Sequence, residues 1–275
     1  FNQKVELKYI FLWTQVIMKN ARLLKNARLE YSAIKNNNQY IFSLKHALSI
    51  YPIDAIYTFI PKNACSSLRY STAIANGFIG DIVDIDWIHK NNIAFMPTQR
   101  EIAIANYTFV VLRCPFTRVA SCFFNQVVDG EIDFKDTNGS RLSISFNDFL
   151  KIIRSQERHQ RNQHWRNQSD FLHYERYDDY FSLELFSKAI TSLGERGFQF
   201  HDTRETSGHN NQSFERTDGS FQKVKEIEIK KMKEDGVLPN YSSMFGDEEI
   251  KLVNEIYKDD IELYKSYFGA SNLLF

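Results

Sequence analysis

The decapeptide IPKNACSSLR, residues 60–69, leaves an apolar run and enters a helix-like one, and it carries the chemistry of an anion site. Lys62 brings a full positive charge, and Ser66 and Ser67 bring hydroxyl donors. A helix N-terminus adds unpaired backbone N–H groups and a partial positive charge, so the combination suits a phosphate or a sulfate. The loop lacks the glycines of the triphosphate-binding pattern G-x-x-x-x-G-K-[ST], and its lysine comes early, directly after the apolar run. The plainer alternative is an ordinary strand-to-helix loop, with serine as helix cap and the lysine in solvent.

A second constellation lies in LRCPFTRVAS, residues 112–121. Arg113 ends an apolar run, at the edge where open α/β sheets bind ligands. Ser121 falls two turns into the following helix, and Arg118 stands one turn before it on nearly the same face. An arginine fork and a hydroxyl converging on one point would hold a second phosphate. The plainer alternative is an arginine paired with a carboxylate near the strand end.

Elements must position these groups. AIYTFI (55–60) and YTFVVL (107–112) are continuous apolar runs rich in β-branched and aromatic residues, the pattern of buried parallel strands. Pro61 ends the first. SLRYSTAIANG then reads as a helix closed by Gly77, and PFTRVASCFFNQVV as a helix with Pro115 in its first turn. Residues 4–35 read as an amphipathic helix, and 41–50 as a second short one. Residues 129–143 read as a loop, followed by the helix FNDFLKIIRSQ with a capping-box start at Ser145 and Asp148. SLELFSKAITSLG is a further helix stopped at Gly194. Residues 201–245 are polar with little periodicity, which predicts a mobile surface region able to act as a lid. One long amphipathic helix, capped by Asp247, closes the chain, with Ile250, Val253, Tyr257, Ile261, Tyr264 and Phe268 on one face. Two strand–loop–helix units predict an α/β fold, a parallel sheet wrapped by helices. The expected division is a helical extension over 1–50 and a main domain over 51–275.

Composition excludes several classes. Lys+Arg and Asp+Glu both number 34 in 275 residues, so no global field draws nucleic acid and any anion site is local. Cys65, Cys114 and Cys122 form neither a disulfide framework nor a zinc spacing, which points to a reducing compartment. The apolar run YIFLWTQVIM is well short of the roughly 20 residues that span a bilayer. Membrane association would therefore need a segment outside this sequence. The 23 Phe and 14 Tyr serve a core first, with a few rings available to stack on an adenine or a sugar.

Together the two constellations resemble a known family. IPKNACSSLR is similar to the 5′-phosphosulfate loop of sulfotransferases that use 3′-phosphoadenosine-5′-phosphosulfate (PAPS), whose carbohydrate branch reads PK-x-A-C-[ST]. FVVLRCPFTRVASCF resembles that family's 3′-phosphate motif, R-[DN]-P-[FY]-x-R-x-x-S. HWRNQSDFL at 164–172 resembles the H-W-x-P-Q segment of the membrane-bound, family 2-like carbohydrate sulfotransferases and their bacterial relatives. SFNDFL precedes it as in that branch, and the terminal helix with Tyr257 and Asp260 is also similar. The likeness spans residues 55–268. Cys114 stands where an acidic residue is usual, and Asn167 where proline is usual.

The resemblance implies a P-loop-like three-layer sandwich with a central parallel sheet. It implies transfer of a sulfuryl group from PAPS to a hydroxyl of a carbohydrate or glycoconjugate, releasing adenosine 3′,5′-bisphosphate (PAP). Lys62, Ser66 and Ser67, with backbone amides across Asn63, Ala64, Cys65, Ser66 and Ser67, would contact the 5′-phosphosulfate. Arg113 and Ser121 would contact the 3′-phosphate. Lys62 is the expected cation at the bridging oxygen. His89, between the two motifs, is the first candidate for the base on the acceptor hydroxyl, with Glu101 and His164 as alternatives. His209 and Asn211 in SGHNNQS resemble a late nucleotide-contacting loop or form a polar surface loop. No metal and no nucleic-acid partner is expected. Bacterial cytoplasm is the expected location, with the Golgi lumen as alternative. Competing readings are a nucleoside-triphosphate kinase and a non-catalytic interaction module.

Overall fold

The computed structural model describes residues 22–27, 34–80, 85–204 and 213–275. A four-stranded sheet runs in the order β1 (Ala47–Ile50), β2 (Ala55–Thr58), β3 (Tyr107–Leu112), β4 (Asp179–Ser182). β2, β3 and β4 are parallel, with Thr58 opposite Val110 and Leu112 opposite Ser182, while β1 pairs antiparallel to β2. Strand side chains alternate between faces. Ala55, Tyr57, Tyr107, Phe109 and Val111 enter one core cluster, and Ile56, Val110 and Leu112 the other. Covered on both faces, β2 and β3 are buried at every position, which is why they read as unbroken apolar runs.

Ten α-helices are described. They are α1 (Asn38–Leu44), α2 (Cys65–Ala75), α3 (Trp87–Lys90), α4 (Gln99–Ile104), α5 (Pro115–Cys122), α6 (Phe146–Ser155), α7 (Phe186–Glu195), α8 (Glu226–Glu234), α9 (Asp247–Ile256) and α10 (Lys258–Phe268). α2, α3 and α7 pack on one face of the sheet, and α5, α6, α8, α9 and α10 supply the other core. The three-layer α/β sandwich is the architecture expected. A small parallel pair, β5 (Glu215–Thr217) and β6 (Val237–Pro239), lies outside the main sheet.

The structure corrects several local readings. Of the helix expected over 4–35, residues 4–21 and 28–33 lie outside the described residues, and residues 22–27 are not helical: Leu24 bridges Tyr174, Arg22 pairs with Asp178 at 2.8 Å and 25–27 form a turn. The segment 41–50 divides into the end of α1 and the edge strand β1. Residues 213–245, expected to be mobile, are packed, and Ile229, Leu238 and Met244 are fully buried in the main core. β4 was not foreseen, because DYFS carries charge at one end and is half-buried there.

The long closing helix is two helices broken at Tyr257, and α9 is capped by the Glu249 carboxylate on the Gly246 N–H, at 2.9 Å, rather than by Asp247. No proline or glycine makes this break. The buried Tyr257 hydroxyl donates to the Trp165 carbonyl at 2.7 Å, and the carbonyl of Ile256, freed from the helix, accepts from Asn167 and Arg161. Tertiary partners outweigh the helical ladder there.

Candidate active site

Lys62, at φ 72°, and Ala64, at φ 57°, turn the chain from β2 into α2 with left-handed backbone at two L-residues. Such conformations cost on the order of 1–3 kcal/mol each and persist only where neighbours impose them. Three braces do so. The Arg118 Nε donates to the Pro61 carbonyl at 3.1 Å, and Arg113 Nη1 to the Lys62 carbonyl at 2.9 Å. The Asn63 Nδ2 donates to Val111 O at 2.8 Å and to Gln168 Oε1 at 2.7 Å. Left-handed residues at a strand-to-helix turn make the concave run of N–H groups that receives anions, so this loop reaches without glycine the form that glycines give other phosphate loops. Ala64 is also the N-cap of α2 and makes no side-chain cap, so the first N–H groups of the helix are not capped by it.

The Lys62 ammonium donates to Asn125 Oδ1 at 2.6 Å. Asn125 belongs to a π-helical segment, Phe123–Val128, that continues α5. A π-turn shifts the register of the side chains beyond it, a frequent device at functional sites. Asn125 in turn donates to Asp129, which Lys233 pairs at 2.6 Å. Burial lowers the Lys62 ammonium below its ordinary value, and the charge of Arg113 adds to the fall. Among the described residues, neither Lys62 nor Arg113 has a carboxylate at ion-pair distance, so the carboxylate partner considered for Arg113 is not there.

The Arg113 guanidinium is held by Thr117 Oγ1 at 3.2 Å, Lys62 O and the Tyr241 hydroxyl at 3.3 Å. Ser121 is buried and is among the groups that act on the same phenol. Arg118 takes no part in this convergence. Its guanidinium is 2% exposed and donates to the carbonyls of Pro61, Arg166 and Gln163. It therefore ties the loop after β2 to the 163–166 segment. Of the two serines in the first loop, Ser67 is buried and meets Thr203, hydroxyl to hydroxyl at 2.9 Å and by the Thr203 N–H at 3.2 Å. Ser66 and Cys65 are partly exposed, and all three cysteines are free thiols.

The base candidates differ in surroundings. His89 is exposed on α3, which Arg69 holds against α2 through Ile88 O and, at 2.9 Å, Asn92 Oδ1. The Glu101 carboxylate accepts the Thr98 N–H at 2.6 Å in a capping box at the start of α4. His164 Nδ1 meets Asn162 Oδ1 at 2.8 Å, while the neighbouring Trp165 is buried against Phe149. His209 and Asn211 lie outside the described residues.

Sequence reasoning missed Asn125, Gln168 and Tyr241. The π-register of Asn125 has no sequence signature. Gln168 belongs to the segment HWRNQSDFL, where nothing local marks its amide as a brace. Tyr241 sits in a segment read as mobile.

The sulfotransferase family profile matches residues 53–267, which carry both loops, the π-segment and the terminal helices. The chain belongs to the sulfotransferase family. Its chemistry is accordingly sulfuryl transfer. No curated protein and no solved structure matches the chain. This sulfotransferase has, among its described residues, no helix long and apolar enough to cross a membrane.

Proposed function

We propose that the chain transfers the sulfuryl group of PAPS to a hydroxyl of a carbohydrate or glycoconjugate. The observation that carries the donor reading is the pair Lys62 and Arg113, two cations without a carboxylate partner among the described residues, joined through the Lys62 carbonyl at the C-terminal edge of the parallel sheet. Two uncompensated charges at helix N-termini fit a ligand with two anionic ends. Lys62, Ser66, Ser67 and the amides of Asn63, Ala64, Cys65, Ser66 and Ser67 would hold the 5′ end. Arg113 and Ser121 would hold the 3′ end.

Transfer needs the acceptor oxygen, sulfur and leaving oxygen in line, with the charge that develops on the leaving oxygen stabilised. Lys62 would supply that stabilisation, and its bond to Asn125 keeps the ammonium oriented before the substrate arrives. His89 is the proposed base, because Glu101 is engaged as a helix cap. The carbohydrate acceptor rests on the likeness of the 164–172 segment to the carbohydrate branch. Free thiols at Cys65, Cys114 and Cys122 fit a reducing compartment such as bacterial cytoplasm.

Calorimetry of PAP binding to the wild type and to Arg113→Ala tests the donor. Micromolar binding that collapses in the variant is expected. A folded wild type that ignores PAP overturns the reading. A sulfate-acceptor screen with sugars, and with lipid and small phenolic hydroxyls as competitors, tests the acceptor class.

A further inference from the structure

The turn after β6 delivers a phenol into the gap between the two phosphate motifs. The N–H of Asn240 donates to Thr217 O at 2.9 Å, which fixes the approach of Tyr241. The Tyr241 hydroxyl accepts from Arg113 Nη2 at 3.3 Å, and Ser121 is among the groups that act on the phenol. Its ring stacks on Phe124 of the π-segment, with centroids 5.9 Å apart. The guanidinium carbons of Arg113 and Arg216 lie 5.5 and 5.2 Å from the ring centroid.

Taking the donor reading above as its basis, we propose that Tyr241 is a specificity-determining residue for the 3′-phosphate end of the nucleotide, holding Arg113 and Ser121 on one point and donating its own hydroxyl to that phosphate. A guanidinium has no acceptor atom, so the phenol oxygen accepts from Arg113. A phosphate presents acceptors only, so Arg113, Ser121 and the phenol O–H can all turn to it. The ring itself is anchored independently of the hydroxyl, by Phe124 and the two guanidinium contacts.

Electrostatics agree with this placement. Burial pushes the Tyr241 phenol up, but Arg113, the hydrogen bonds of Arg113 and Ser121, and Arg216 outweigh it and bring it below its ordinary value of 10. Tyr177, buried without such cations, is pushed up instead, to about 12. The groups facing the phenol are Arg113 at the end of β3, Lys62 in the first loop, Ser121 on α5 and Arg216 on β5. An anionic phosphate among the same cations removes their pull, so the phenol ionises at higher pH once it is bound.

The test compares PAP with adenosine 5′-monophosphate, which lacks the 3′-phosphate, on the wild type and on Tyr241→Phe. PAP is expected to weaken by about tenfold or more in the variant, the scale of one hydrogen bond to a charged group. The monophosphate should change less than about twofold, below the scale of one such bond. An alkaline absorbance titration of the wild type should show an early-ionising tyrosine that saturating PAP removes. Equal losses for both nucleotides, unchanged PAP affinity, or an early phase indifferent to PAP would each overturn the proposal. If Tyr241→Phe fails to fold, the wild-type titration with and without PAP decides. A wild type that binds no PAP overturns the donor reading first, so the two failures are distinct.

Discussion

The side-chain amide of Gln168 pairs with the main chain of Arg113 in both directions, Nε2 donating to the Arg113 carbonyl at 2.8 Å and Oε1 accepting its N–H at 3.0 Å. The same Oε1 accepts from Asn63 of the first loop at 2.7 Å. The backbone of Gln168 is itself held by the buried Asp260 carboxylate, at 2.7 Å. One amide thus locks the loop after β2 to the end of β3, and its backbone joins both to α10.

Gln168→Leu leaves the Arg113 N–H and carbonyl without their Gln168 partner and takes from the Asn63 amide one of its two acceptors, the Val111 carbonyl remaining. Each lost bond of this kind costs about 1–3 kcal/mol, so a total loss of roughly 2–4 kcal/mol in urea unfolding is expected. PAP affinity should fall with it, because Asn63 and Arg113 lose their common register. A variant as stable as the wild type would show that the amide is dispensable.

Lys62→Ala should lower turnover on the order of a hundredfold or more, the effect of one preorganised donor at a developing charge, about 3–4 kcal/mol. PAP binding should suffer far less, since the amide cradle remains. The sign with pH follows from the lowered ammonium value. The rate should fall as pH rises through a value below the ordinary 10.5. A turnover unaffected by Lys62→Ala would remove it from the chemistry.

His89→Ala should lose roughly 10²–10⁴ in turnover with PAP binding intact, the range of a general base. Glu101→Ala should instead lower stability by about 0.5–2 kcal/mol through its lost capping box, with turnover kept. The reverse pattern would exchange their roles.

Cys114 occupies the place of the family's usual acidic residue, and the structure supplies the missing carboxylate from elsewhere. Glu184, just beyond β4, accepts the Cys114 N–H at 3.1 Å and the Thr117 hydroxyl at 2.8 Å, at the positive end of α5. Cys114→Asp should therefore destabilise by about 1–3 kcal/mol, since it places a carboxylate at a buried position beside that of the exposed Glu184. Adding Glu184→Gln should recover part of that loss in a double-mutant cycle, and strict additivity would refute the substitution of one carboxylate for the other.

His46 and His173 predict acid lability. Burial holds both imidazoles down at about 4, with Arg69 and Arg166 opposing protonation of His46. His173 Nδ1 meets Ser43 at 2.8 Å and its buried Nε2 has no partner. A depressed histidine favours the neutral folded form. Stability from this source is complete above pH 6.5, is lost as pH falls toward about 4, and levels off below. The loss is on the order of 3 kcal/mol per histidine. Urea unfolding between pH 7 and 4 should show a shallower slope for His173→Gln than for the wild type.

Residues 55–60 and 107–112 announced the two central strands because a strand covered on both faces must be apolar throughout. The loops after them announced their charge for a similarly local reason: Arg113 follows β3 directly and Lys62 stands in the loop that leaves β2, and the strand direction alone brings them to one edge. The 53–267 family match includes these same contiguous segments. What tertiary structure alone decided are the partners across large separations. Asn125 reaches Lys62 only through a π-register that no local pattern encodes. Gln168 reaches Arg113, and Tyr241 reaches Arg113 and Ser121, because separate segments meet at that edge. The break at Tyr257 follows the same rule, since a helical pattern continues through it and only the buried bonds of Tyr257 and Ile256 end the ladder. Side-chain type and local spacing write charge and strand into the sequence, whereas a hydrogen bond between distant segments exists only once the core has brought them together.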